Sequence, residues 1–211
     1  MKKLSLIIGI LLFASTAFAY ESWDPSFYAG LGYGWSKLDT GITNLTGTAS
    51  LDEDDSGFKI FGGFKINKFL GLELAYNKIG KAELKGNSGD QFSLDGVTYS
   101  FLINGVTIEA EAKTIELAAI YFIPLDYFTQ NDSMKYFEPF IKIGANFWEI
   151  EYSLSVANVG KVKGDDDGTD IVFGAGINFK VHENFTIRTE WERFKMEDNV
   201  DFFTLNLIFD F

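Results

Sequence analysis

The stretch DFFTLNLIFDF, residues 201–211, alternates large apolar side chains with mostly polar ones. Its odd positions from Phe203 to Phe211 are apolar, and Thr204, Asn206 and Asp210 lie between them. A period of two over this length predicts a β-strand with two unlike faces. In water such a strand at a sheet edge is an aggregation hazard. The fold therefore depends on which solvent faces the apolar side.

The N-terminus predicts an exported protein. Two lysines, Lys2 and Lys3, precede the apolar residues 4–13, and a small-x-small site follows with Ala17 and Ala19. This order is typical of a signal peptide, so we expect residues 1–19 to be removed and residues 20–211 to form one barrel domain. The apolar stretch is shorter than the ~20 residues of a membrane-spanning helix.

Composition excludes several kinds of function. The 211 residues include no cysteine and one histidine, and the formal net charge is −12. Disulfides are therefore absent, and a zinc-type metal site has too few ligands. The acidic balance disfavours nucleic acid as a partner.

The same alternation recurs along the whole mature chain and predicts an all-β protein. We expect eight strands near residues 26–36, 57–66, 69–78, 113–123, 139–150, 170–181, 185–195 and 201–211. Tight turns and long loops alternate between them, with the long loops near 37–56, 79–112 and 151–169. This is the pattern of a transmembrane antiparallel up-and-down barrel with both termini on the periplasmic side.

A soluble lipocalin-like barrel would show the same alternation with its apolar face turned inward. Two features favour lipid instead: glycine-rich polar faces suited to a narrow lumen, and aromatic residues at both ends of the apolar faces. The predicted girdles are Trp35, Phe58, Tyr76, Phe147, Phe173 and Phe203 at one end and Phe27, Phe64, Tyr121, Phe179, Phe209 and Phe211 at the other.

The chain resembles the eight-stranded outer-membrane barrels of Gram-negative bacteria, the family of the OmpA transmembrane domain, OmpX, Ail-like and opacity-type "porin family" proteins. The resemblance rests on FYAGLGYG (27–34), GFKIFGGFKINKFLGLELAY (57–76), FGAGINF (173–179), NFTIRTEWERF (184–194) and the terminal Phe211. It implies an integral outer-membrane protein whose residues Leu207, Phe209 and Phe211 act as the signal read by the assembly machinery.

Charged residues occur on the polar face of several strands. We expect them to form a salt-bridge network that largely fills a narrow lumen, because unpaired buried charges are costly. The residues concerned are Glu73, Glu116, Lys142, Arg188 and Glu190. The alternative is a narrow passive porin for small solutes or ions.

Catalysis is not expected. The only histidine, His182, lies in a predicted tight turn, away from any serine and acid that could complete a nucleophilic site. Two acidic runs in the long loops are either solvated charge or carboxylates that share Ca²⁺ or Mg²⁺ with lipopolysaccharide phosphates. They are Asp52, Glu53, Asp54 and Asp55, and Asp165, Asp166 and Asp167.

The second long loop carries a hairpin signal, Asn104-Gly105, between residues 97–103 and 106–112. Its arms are short for a membrane strand, so we place the hairpin outside the bilayer, with the fourth strand running into it. A ten-stranded barrel that inserts this hairpin is the alternative fold. The predicted role is structural or adhesin-like, with a host or surface protein as a candidate partner of the outer loops.

Overall fold

The computed structural model describes residues 25–129, 131–196 and 199–211. The predicted signal peptide and its cleavage residues Ala17 and Ala19 lie outside the described residues. Within them the strands β1 to β11 are Ser26–Leu38, Ser50–Asp52, Asp54–Lys65, Leu70–Gly86, Gln91–Leu94, Val97–Ser100, Val106–Phe122, Phe137–Val156, Gly160–His182, Phe185–Lys195 and Asn199–Asp210. A short helix, α1 (Leu125–Thr129), and a 3₁₀ turn (Asp132–Tyr136) follow β7.

Eight of these strands close a barrel: β1, β3, β4, β7, β8, β9, β10 and β11, in that order around it. Every neighbouring pair is antiparallel, and β11 returns to β1 with Phe203 opposite Trp35 and Phe209 opposite Ala29. The predicted eight-stranded barrel is therefore confirmed. The ten-stranded alternative is wrong, because β5 and β6 form a separate two-stranded sheet and pair with no strand of the barrel.

The apolar faces of the barrel strands point outward. Phe27, Leu31 and Trp35 of β1 are 63%, 65% and 66% exposed, whereas Tyr28 between them is 3% exposed. Apolar side chains of this size gain nothing from water, so the outer surface requires lipid around it. The soluble barrel with an apolar interior is excluded by this orientation. Among the described residues no helix is long and apolar enough to span a bilayer, which has no bearing on spanning by strands.

Glycines leave room for large side chains inside the lumen. A Cβ atom on Gly63 would lie 1.9 Å from Cζ of Tyr28, and one on Gly30 would lie 2.3 Å from Cζ of Phe61. Real Cβ atoms do not approach other atoms this closely. The glycines of the polar faces therefore leave space for aromatic rings that extend into the lumen from neighbouring strands.

Two of the predicted long loops are wrong, because strands occupy most of them. β4 continues to Gly86, β7 begins at Val106, and β8 and β9 form one hairpin that turns at residues 157–159. We call the resulting β2–β4–β7–β8–β9 extension, residues 50–52, 78–86, 106–113, 149–156 and 160–170, the protruding sheet. The fourth predicted strand does continue into residues 106–112, as β7 shows, but these residues are not an arm of the predicted hairpin.

The hairpin predicted at Asn104-Gly105 is also wrong. The turn forms instead at Asp95-Gly96, where φ is 52° and 78° and joins β5 to β6. Two consecutive positive φ values are what a two-residue hairpin requires. Residues 106–112 pair with β4 on one side and β8 on the other, so they were not available to fold back on residues 97–103.

Gly62 and Gly63 of β3 test which face of the strand points into the lumen and which points outward. We expect Gly63→Val to destabilise the barrel by about 1–3 kcal/mol, because the new side chain overlaps the Tyr28 ring. Gly62→Val is the matched control, since the nearest atom to its Cβ is 3.8 Å away on the outer face. Urea unfolding followed by heat-modifiable gel migration measures both. Equal loss in the two variants would contradict the assignment.

Candidate functional site

The lumen contains a cluster of seven charged side chains. The five predicted residues, Glu73, Glu116, Lys142, Arg188 and Glu190, lie together there, and Lys59 of β3 and Glu192 of β10 join them. Each of the seven side chains is at most 1% exposed. We call these seven residues the lumen cluster. Lys59 and Glu192 occupy the polar parity of their strands, so parity alone was a sufficient signal for them.

Glu73 is the acceptor for one half of the cluster. Its Oε2 atom accepts hydrogen bonds from Arg188 Nη1 at 2.7 Å and from the Tyr28 hydroxyl at 2.9 Å. Arg188 also donates from Nε to Asn178 Oδ1 at 2.8 Å. The guanidinium carbon lies 4.6 Å from the centre of the Phe140 ring, which adds a cation–π contact. Arg188 is therefore held by partners from three strands, β4, β8 and β9.

The two lysines occupy the other half. Lys59 Nζ lies 2.9 Å from both Glu190 Oε2 and Glu192 Oε1. Lys142 Nζ lies 2.7 Å from Glu116 Oε1 and 3.0 Å from Glu190 Oε1, and it also contacts Glu192. The ammonium groups have several donors each, so one lysine can bridge carboxylates on different strands.

The lumen cluster contains more acids than bases. Four carboxyl groups face three cations. Glu192 contacts both lysines through the same atom, Oε1, and within the described residues its Oε2 atom forms no ion pair. Removing one partner of a buried ion pair destabilises a protein strongly, because the other partner is left as an uncompensated buried charge. Removing a buried charge that is in excess leaves no such uncompensated charge. Glu192 and Glu73 therefore have different expected roles in stability.

Apolar layers lie on both sides of the lumen cluster. Along β8, the inward residues run from Phe140 through Lys142 to Trp148, so charge lies between aromatic rings. The layer toward the termini includes Ile120, Phe122 and Phe140. The layer toward the protruding sheet comprises Leu38, Ile79, Ala82, Ala112, Trp148, Ile150, Val172, Phe194, Met196, Val200 and Phe202.

The predicted girdle residues lie on the outer face and meet one another across strands. At the end nearer the protruding sheet, the rings of Phe58 and Tyr76 are 6.1 Å apart. At the other end the rings of Phe27 and Phe64 are 4.8 Å apart. Tyr33, Trp191, Phe137 and Phe185 join these groups and were missing from the sequence-based lists.

Charged residues follow immediately beyond the girdle on the protruding sheet. Lys78 pairs with Glu111 at 2.8 Å, and Glu109 accepts from Lys81 and Lys161, each at 3.1 Å. The hydrogen bond from Lys81, together with those from Lys161 and Ser153, lowers the pKa of Glu109 to about 2. This change from rings to ion pairs along each strand marks the outer limit of the lipid-facing surface.

The acidic runs lie largely in strands, which corrects their assignment to loops. Asp52 ends β2, Asp54 and Asp55 begin β3, and Asp165–Asp167 belong to β9. Glu53 accepts hydrogen bonds from the amide and hydroxyl of Thr40. Within the described residues no group of three acidic or histidine side chains is placed to hold a metal ion. Sharing of divalent cations with lipid phosphates stays a prediction.

His182 ends β9 and is exposed. Its Nδ1 atom accepts a long hydrogen bond of 3.4 Å from the amide of Asn184, and its ring lies 6.2 Å from that of Phe185. These contacts give it a place in the turn and supply neither a nucleophile nor an orienting acid.

Comparisons with known proteins agree with this architecture. A family model described as "OmpA-like transmembrane domain" matches residues 23–198. Outer membrane protein A of Salmonella typhi is 26% identical over 195 residues, and that of Klebsiella aerogenes is 27% identical over 198. Both alignments cover 91% of this chain and 48% of the relative, so the chain spans about half the length of the curated relatives it matches.

Solved structures show the same fold. Ail, the attachment invasion locus protein of Yersinia pestis, crystallised with the heparin analogue sucrose octasulfate, superposes with a TM-score of 0.55 at 18% identity. That match covers 89% of this chain and 99% of Ail. Neisserial surface protein A matches with a TM-score of 0.50 at 14% identity, covering 89% of this chain and 99% of the other. The chain is thus an integral outer-membrane barrel.

The unequal charge count of the lumen cluster generates a prediction. We expect Glu192→Gln to change the free energy of unfolding by less than about 1 kcal/mol, because the lysines keep other carboxylates and one excess charge is removed. Glu73→Gln should lose about 3–5 kcal/mol, since it leaves Arg188 buried without its ion pair. Urea unfolding in detergent, followed by tryptophan fluorescence, compares them. Equal losses of unfolding free energy in the two variants would show that the excess of carboxylates over cations does not influence stability.

Proposed function

Since the chain belongs to the family of OmpA-like transmembrane domains, we propose that it is a non-catalytic outer-membrane barrel with a structural and surface-interaction role. Its lumen is closed at rest, and its termini lie on the periplasmic side. The partner-binding surface is the protruding sheet. The observation that carries the proposal is the buried lumen cluster between two apolar layers.

Closure of the lumen is supported by burial and by connectivity of the side chains. The two lysines of the lumen cluster each contact carboxylates from more than one strand, so they tie different walls of the barrel together. An ion that entered would have to displace these contacts and also pass the layer that contains Trp148, Phe194 and Phe202. Both steps are unfavourable, which supports a plug over an open conduit.

The orientation is supported by the asymmetry of the two barrel ends. β1 begins and β11 ends at the end where β3–β4 and β9–β10 are joined by short turns. The protruding sheet lies at the opposite end. In outer-membrane barrels the short turns are periplasmic and the longer connections extracellular, so the sheet would face the outside.

A surface role is supported by the polarity of the protruding sheet. Its outer face carries the ion pairs of Lys78, Lys81 and Glu109, and exposed apolar side chains occur at its far tip, with Leu102 85% and Val159 80% exposed. The chain's net charge of −12 argues against polyanionic ligands and favours protein partners. Ail is named for attachment, and we extend that role to this chain by analogy.

Two further partners belong to the same proposal. Lipopolysaccharide would surround the charged surface beyond the girdle, with divalent cations bridging its phosphates to the acidic residues. The assembly machinery would read Leu207, Phe209 and Phe211. Phe211 donates its amide to the carbonyl of Phe27 at 2.9 Å, so the signal would stay in register with the closing strand.

Conductance discriminates the plugged barrel from the porin alternative. In planar bilayers we expect no steady open state for the unaltered chain and a clear rise for Arg188→Ala, which removes the ion pair to Glu73. Arg193→Ala is the matched control, because Arg193 pairs with Asp201 outside the lumen cluster.

Folding of each variant is verified by heat-modifiable migration before recording. A steady conductance of the unaltered chain equal to that of Arg188→Ala would favour the porin. An equal rise in Arg188→Ala and Arg193→Ala would mean that general destabilisation opens the lumen.

A further inference from the structure

One edge of the protruding sheet is open. Among the described residues β9 pairs with β10 only over residues 172–182, whereas residues 160–170 pair with β8 alone. The opposite edge of the sheet is covered, because β2 pairs with residues 83–85 of β4. Residues 160–167 of β9 are exposed on both faces. The free backbone groups of this segment can accept another strand.

The charges along this edge change sign at its centre. Lys161 and Lys163 precede Gly164, and Asp165 and Asp167 follow it. Alternation puts these four charged side chains on one face of the strand. If two identical segments pair antiparallel about Gly164, Lys163 lies opposite Asp165 of the second copy and Lys161 lies opposite Asp167. The segment is therefore complementary to itself.

Three of these four charged side chains have no ion pair within the described part of the chain, so they can pair with a second copy. On their own sheet Asp165 and Asp167 lie opposite Glu151 and Glu149 of β8, and like charges directly opposite are unfavourable. The ion pairs of the described residues include Lys161 with Glu109 but none with Lys163, Asp165 or Asp167. Lysines from a second copy would lie beside both aspartates.

We propose that the open edge of β9 pairs antiparallel with the same edge of a second copy of this chain. The proposal rests on the surface role and the outward orientation proposed above, and it names the partner. Backbone hydrogen bonds hold the two edges, and the Lys163–Asp165 and Lys161–Asp167 contacts, formed twice by symmetry, set the register.

The second copy belongs to an opposing membrane. Two copies in one membrane are related by rotation about the membrane normal, which keeps their β9 strands pointing outward together and forbids antiparallel pairing. A copy facing from another membrane has its β9 reversed. The strand from Gly164 to Ile171 is about 23 Å long at ~3.3 Å per residue, so the two lipid surfaces would be at most roughly 45 Å apart. The inferred activity is adhesion between like membranes.

An alternative explanation is that the charges simply protect the edge from aggregation, as charged residues do on many sheet edges. Protection against a second copy requires charges that repel that copy. Charges of one sign along the segment would repel a second copy. The change of sign at Gly164 instead produces attraction between two antiparallel copies. The two explanations therefore predict opposite effects of charge reversal.

Proteoliposomes of zwitterionic phospholipid, with the full chain reconstituted and EDTA present, provide the test. Three variants are compared with the unaltered chain: Lys163→Glu, Asp165→Lys, and the double exchange K163E/D165K. Each single variant puts like charges opposite each other in a homotypic pair. The double exchange, and a mixture of vesicles that carry the two single variants, restore opposite charges. All of them keep the Lys161–Glu109 pair.

We expect vesicles of the unaltered chain to cluster, as measured by light scattering and two-colour vesicle coincidence. Each single variant alone should cluster about tenfold less, because two attractive cross-strand pairs become repulsive. The mixture of single variants and the double exchange should recover most of the clustering. Higher salt should weaken it, since exposed charges are screened.

A cross-link locates the contact. The chain contains no cysteine, and a Cβ on Gly164 would have no atom within 4 Å, so Gly164→Cys supplies a single unhindered thiol at the symmetry centre. Oxidation should link copies from differently labelled vesicles. Thr169→Cys is the control, because residue 169 does not meet its own copy in this register.

Several outcomes would overturn the proposal. These are no clustering of the unaltered chain, equal clustering of all charge variants, no rescue in the mixture, or cross-links formed only within one vesicle. Labelling of Val159→Cys with a membrane-impermeant maleimide reports the outward-facing fraction, and only preparations with that fraction in excess are scored. Conductance measures the plug independently. Failure of the adhesion is thereby distinguishable from failure of the proposed function.

Discussion

The closure of β11 onto β1 is the constraint on which the rest of the structure depends. Within lipid no water is available to bond an open strand edge, so each N–H and C=O group of a spanning strand needs a neighbour. The pairing of Ala29 with Phe209 and of Trp35 with Phe203 meets this requirement. Because closure removes the edge, the apolar side of residues 201–211 can face outward without becoming a site of aggregation.

Closure with eight strands also determines the chemistry of the interior. An eight-stranded interior is about wide enough for side chains to fill, so charged side chains that point inward are costly unless they pair with one another. Arg188 does so through Glu73 and Asn178, and the Tyr28 hydroxyl shares the same carboxylate. Gly63 is the counterpart of Tyr28, since any larger residue would occupy the space of its ring. Charge pairing and glycine placement are two results of the same narrow diameter.

The sequence predicted the strands correctly where lipid requires one apolar face. It contained no strand signal where both faces of a strand contact water. Alternation predicted the eight spanning strands, their outward parity and five members of the lumen cluster by residue. Beyond the girdle that contrast disappears, so the continuation of β8 and β9 through residues 151–169 carried no periodic signal. The turn forms at Asp95-Gly96 and not at Asn104-Gly105 because residues 106–112 are already paired with β4 and β8, and no local pattern contains that information. Lys59 and Glu192 had the correct parity, but which cations meet which acids depends on shear between distant strands.

The unequal heights of the strands connect the membrane-spanning part to the surface. A barrel whose strands all ended at the girdle would have no free edge anywhere. Here β4, β7, β8 and β9 continue past β10, and β2 covers only the β4 side. In the membrane-spanning half of β9, residues 172–182, both sides of the strand are paired. In the outer half, residues 160–170, one side of the strand is open. In water, charged side chains on an open strand edge determine which other strands can pair with it. Around Gly164 these charges change from positive to negative. This sign change makes the segment complementary to a reversed copy of itself, whereas charges of one sign would repel that copy.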